Sequence, residues 1–92
     1  MPSRSALGTA FPNPFNPAVS IPFQLAETGP GMIKIYNILG QEVVSFDLEK
    51  LKTGKHIYTW KPSREYHVSS GVFFIRMKTA HGSSAKKIIY LK

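Results

Sequence analysis

The chain has 92 residues, 42% of them hydrophobic and 12% aromatic, which suits one small globular domain and excludes a disordered tail. It has no cysteine, so disulfides and cysteine-ligated zinc are excluded, and no apolar run approaches the ~18–20 residues that cross a bilayer. Twelve Lys and Arg against five Asp and Glu give a formal net charge of +7, but Arg4 alone precedes Lys34 and the rest are scattered, as on a solvated surface.

Residues 1–10 are small, polar and unpatterned, without a hydrophobic stretch of signal-peptide length, and read as a linker or expression remnant ahead of a domain over residues 11–92. In Phe11-Pro12-Asn13-Pro14-Phe15-Asn16-Pro17 the prolines fix their own φ and push each preceding residue into extended space. That excludes a helix and a central strand, and predicts a stiff lead-in with turns at Asn13 and Asn16. Val19, Ile21, Phe23 and Leu25 alternate with polar residues and Pro22, the period of a half-buried strand. Pro22 puts that strand at an edge or leaves one donor position unfilled. A seventh, short strand falls near Leu7–Phe11.

Glu27–Gly31 is a turn cluster. Met32–Ile38 and Glu42–Leu48 then form the clearest hairpin, closed at Leu39-Gly40. Leu48 and Leu51 pin a loop that Thr53-Gly54 ends. Lys55–Lys61 is a strand with His56, Tyr58 and Trp60 on one face. Gly71 opens Val72–Lys78, apolar on both faces at its start, which predicts a central strand. Ala80-His81-Gly82 turns the chain into a last strand, Ala85–Leu91. The pattern is all-β, a two-sheet antiparallel β-sandwich, with a small barrel as the alternative. A terminal strand at a sheet edge also invites strand addition or pairing of two copies.

The chemistry-bearing residues are sparse. Glu27, Glu42, Asp47, Glu49 and Glu65 form no spacing that pairs an acid with His56, His67 or His81, so neither a catalytic triad nor a metal site is specified and no cofactor is expected. Phe73-Phe74-Ile75-Arg76-Met77-Lys78 lacks the glycine–aromatic pattern of an RNA-reading strand, so no nucleic-acid partner is expected. Tyr58, Trp60 and Tyr66 offer a sugar-stacking platform if exposed, but a lone Trp in a sandwich ordinarily anchors the core. These residues leave a binding or structural module, not an enzyme.

Read in order, several segments resemble one family. They are Asn13-Pro14-Phe15-Asn16-Pro17, Ile21-x-Phe23-x-Leu25, Ile35-Tyr36-Asn37-Ile38-Leu39-Gly40-Gln41-Glu42-Val43, Leu51-x-x-Gly54-x-His56-x-x-x-Trp60, Ser70-Gly71-Val72-Phe73-Phe74-Ile75-Arg76-Met77 and Lys86-Lys87-Ile88-Ile89-Tyr90-Leu91-Lys92. Together they are similar to the type A C-terminal sorting domain of the type IX (Por) secretion system of Bacteroidetes. The resemblance implies an immunoglobulin-like sandwich of about seven strands, carried at the end of a larger secreted cargo protein. It implies transit through the periplasm, recognition by the type IX translocon and attachment complex, and a destination outside the cell or on its surface. It also implies removal by a sortase-like cysteine peptidase that cuts upstream of the sandwich. Carried over from the family, the recognition residues are Gly71, Val72, Phe74, Arg76, Lys86, Lys87 and Lys92. Two features depart from the family: Lys61–Val68 replaces an acidic, glycine-containing loop, and Phe73-Phe74 stands where a Tyr is usual. A related module occurs in flagellar hook-capping proteins, so a structural or carbohydrate-binding accessory domain is the competing expectation.

Overall fold

Alternation of apolar and polar side chains writes most of the strands directly, because successive residues of a strand face opposite sides. The computed structural model of the chain describes residues 5–62, 71–80 and 82–91. It contains β1 (Ala6–Leu7), β2 (Val19–Leu25), β3 (Gly31–Tyr36), β4 (Glu42–Asp47), β5 (Gly54–Trp60), β6 (Gly71–Thr79) and β7 (Gly82–Tyr90). One sheet has the order β1-β2-β5 and the other β4-β3-β6-β7, with every strand pair antiparallel. This is the two-layer, immunoglobulin-like arrangement of antiparallel sheets. Two separate sheets dispose of the barrel alternative. Among the described residues no helix is long and apolar enough to cross a membrane.

The two inner faces meet in a dry core. Val19, Ile21, Phe23 and Leu25 of β2 face Ile33 and Ile35 of β3, Phe73, Ile75 and Met77 of β6, and Ile88 and Tyr90 of β7, all of them buried. No described polar or charged side chain is buried. Trp60 is 4% exposed and packs against Phe15 and Phe73, with ring centroids 6.0 and 5.4 Å apart. The ring is therefore a core anchor, closed to a stacked sugar. Burial of Trp60 and of Phe23 stabilises the fold by about 2–3 kcal/mol each.

Pro22 shows why local rules need the sheet order. β2 is central, not an edge, pairing with β1 on one side and β5 on the other. The other half of the expectation holds, because the unfilled donor position of Pro22 faces the spot where β1 stops. Gly8 N–H donates to the Pro22 carbonyl at 2.8 Å, and proline has no N–H to return the bond. The ladder breaks there. It resumes at Phe11 and Ser20, which exchange backbone bonds of 3.0 and 2.8 Å. Between the two contacts the first segment carries more residues than β2, a bulge. Its extra length tucks Ala10 into the core, beside the buried Leu7.

The β3–β4 hairpin is closed by Asn37. Its side-chain Oδ1 accepts from the Leu39 and Gln41 N–H groups at 2.9 and 3.0 Å, and its Nδ2 donates to Gln41 Oε1 at 2.8 Å. Gly40 completes the turn at φ +82°, a conformation that costs other residues ~1–2 kcal/mol. Ile38 and Leu39 stand exposed at the tip.

The lead-in segment does more than enter the fold. Phe15 is 1% exposed and stacks on Tyr90 at 5.1 Å. Its N–H donates to the Ile89 carbonyl at 2.8 Å, and its carbonyl accepts from Leu91 N–H at 3.0 Å, which makes a parallel bridge on the outer edge of β7. Asn13 adds two side-chain bonds to the same edge: Oδ1 accepts from Ile89 N–H at 3.0 Å and Nδ2 donates to the Lys87 carbonyl at 3.2 Å. The terminal strand is thus not the fully open edge that its position suggests. Its last residues are clipped by Asn13 and Phe15.

Candidate recognition surface

The outer face of the four-stranded sheet collects most of the residues singled out in the sequence. β6 lies between β3 and β7, so its outward side chains stand in rows with theirs. Phe74 pairs with Tyr36 on one side and Lys87 on the other; Arg76 pairs with Lys34 and Ala85; Lys78 pairs with Met32 and Ser83; Val72 pairs with Ile89. Directly opposed residues share a face and lie within side-chain reach. The result is a surface of aromatic and aliphatic groups studded with Lys34, Arg76, Lys78 and Lys87.

Energetically this face is poorly self-satisfied. Lys34 and Arg76 are like charges in opposed positions, a destabilising arrangement in a sheet. The relief comes from β4, where Glu42 accepts from Lys34 Nζ at 3.0 Å. That hydrogen bond, with the carboxylate charge behind it, raises the Lys34 pKa above its ordinary value. Arg76, Lys78 and Lys87 have no such partner among the described residues and keep undischarged positive heads. Phe74 remains 41% exposed and Met32 37% exposed beside them. Met32, Lys34, Tyr36, Arg76 and Lys78 line part of a shallow open groove of about 450 Å³.

The expected recognition residues divide. Val72, Phe74, Arg76 and Lys87 share this outer face. Lys86 does not; it falls on the side of β7 that carries Ile88 and Tyr90, although it is itself exposed. Gly71 opens β6 at φ +149°, an extended conformation that glycine alone adopts readily. Lys92 lies outside the described residues, as do Tyr66, His67 and His81 and most of the loop that departs from the family pattern. Lys34, Tyr36 and Lys78 join the site although no motif marks them. The alternation of β3 and β6 already puts them on the polar side of their strands. What alternation leaves open is that β3 and β6 are neighbours.

Geometry and charge define a small β-sandwich module that offers a cationic, partly apolar sheet face and carries no buried polar machinery among its described residues. Comparison with protein families completes the assignment. The family model described as "Secretion system C-terminal sorting domain" matches residues 9–91, so the chain belongs to that family. It is a type IX secretion sorting domain, a signal attached to a cargo protein and directed to the type IX machinery for export across the outer membrane. No curated protein and no solved structure matches the chain significantly.

Proposed function

We propose that the outer face of the β4-β3-β6-β7 sheet is the surface the type IX machinery reads, with Val72, Phe74, Arg76 and Lys87 as contact residues. The observation that supports this is the exposure of Phe74 among uncompensated cations, 41% open on the outward side of β6 while Phe73, Ile75 and Met77 on its other side are buried. Buried aromatic and Arg anchors carry much of the binding energy in protein interfaces. Gly71 serves by setting the start of β6, and Lys86 adds positive charge to the terminal strand; Lys92, outside the described residues, is kept as a contact on its sequence position alone. The cargo precedes the sandwich, and a sortase-like peptidase cuts the connecting linker. Because Leu7 and Ala10 are core residues, a cut that spares the domain falls ahead of β1.

The test is export of a reporter fused ahead of residues 1–92 in a type IX-competent bacterium. An Arg76→Glu/Lys87→Glu variant reverses charge on the face; a Lys50→Glu/Lys52→Glu variant reverses as much charge on the exposed turn after β4. Thermal melting first establishes that both fold. The wild-type chain and the turn variant are expected at the cell surface, and the face variant in the periplasm. Export of the face variant at the wild-type level would remove this face from the signal. Retention of the wild-type reporter would remove the address from these 92 residues altogether.

A further inference from the structure

The clip by Asn13 and Phe15 leaves the other half of the β7 edge uncovered. The main-chain groups of Lys87, Ile89 and Leu91 that meet the clip point away from β6. The alternation of a strand carries that direction back to Ala85 and Ser83. Among the described residues nothing pairs with the outward N–H and C=O of Ser83 and Ala85 or with the outward N–H of Lys87. Ser83 and Ala85 carry short, exposed side chains, and Ser84 between them turns the other way and accepts from the Leu7 N–H at 3.1 Å, so β1 flanks the stretch on its inner side. The stretch sits between a closed end at Asn13 and the β6–β7 turn, which limits an added strand to a few residues.

Charge selects the occupant. Lys86 and Lys87 project to opposite faces of the strand, both exposed, and neither has an ion-pair partner among the described residues. Arg76, opposite Ala85, and Lys78, opposite Ser83, lie one strand in. A second copy of this strand would bring lysines against lysines, the usual protection of an edge against its own kind. An extended segment rich in Asp or Glu meets the same lysines as partners and satisfies the unpaired main-chain groups. We infer that Ser83–Lys87 is a strand-addition site for a short acidic segment of another protein. Main-chain pairing gives such complexes affinity, and side chains beside the new strand give specificity. The inference stands on edge geometry and does not require that the export machinery be the partner.

A direct test uses the 92-residue chain and a capped peptide alternating Glu and Thr, about six residues long to match the open edge, with a Lys–Thr peptide as control. Amide hydrogen exchange is followed residue by residue. The acidic peptide is expected to slow exchange at Ser83, Ala85 and Lys87 by roughly tenfold or more, while Ile89 and Leu91, already bonded, change little. The lysine peptide is expected to do nothing. Ala85→Pro removes one outward N–H without touching the β6 ladder and is expected to abolish the protection in a protein that still melts cooperatively. No slowing by the acidic peptide, or equal slowing by both peptides, would overturn the inference. So would slowing that grows with protein concentration alone, which would make a second copy the occupant.

Discussion

Replacing Phe15 with Ala is expected to destabilise the domain by about 3–5 kcal/mol, the ordinary cost of truncating a fully buried aromatic. For a domain of this size that lowers Tm by at least roughly 12 °C. The ring is 1% exposed and touches Tyr90 of one sheet and Trp60 of the other, so its loss opens a cavity at the seam. Phe11→Ala is the matched control. Phe11 is 52% exposed, and its backbone bonds to Ser20 survive truncation, so its loss is expected to cost less than about 1 kcal/mol. Chemical denaturation of the two variants decides the matter. Equal, small losses would mean that the proline-rich segment is a detachable lead-in and not part of the core.

That contrast marks where the sequence is readable and where it is not. Phe11 and Phe15 sit in the same stretch, each followed within two residues by proline. Nothing local separates them. The prolines correctly forbid a helix and a central strand, but the segment does not run extended: it bends at residues 12–14 and 16–17 and makes only isolated bridges, at Phe11 and Phe15. Its destination, however, is fixed by β7 at the far end of the chain; Asn13 and Ile89 are 76 positions apart. By contrast β2, β3 and β6 carry their inward and outward faces in plain alternation, and the Asn37–Gly40 turn is written in four consecutive residues. Alternation also separates Lys86 from Lys87, since neighbours on a strand face opposite ways. The two lysines therefore cannot share one contact row, and their adjacency in the sequence already says so. The row Lys34–Arg76–Ala85 has no such signature, because it depends on which strands become neighbours.

Asn13→Ala is expected to loosen the end of the terminal strand without unfolding the protein. It removes the acceptor of the Ile89 N–H and the donor to the Lys87 carbonyl, both side-chain bonds at the surface. Two exposed bonds of this kind contribute together about 1–2 kcal/mol. The loss falls on β7, because Phe15 still fills the core and still bonds to Ile89 and Leu91. Exchange at the Ile89 amide is expected to rise by roughly tenfold or more, while Ile33 and Ile75, paired inside the sheet, slow or quicken only with global stability. Asn13→Asp keeps the acceptor and loses the donor, so it is expected to protect the Ile89 amide and leave the Lys87 carbonyl unbonded. If Ile89 exchanges no faster in Asn13→Ala, the clip is held by Phe15 alone. If it does, the segment between β1 and β2 also governs how far the terminal strand is open to a partner. The entry of the chain and its end would then act as one structural unit, and a change at Asn13 would be felt at the edge where an added strand docks.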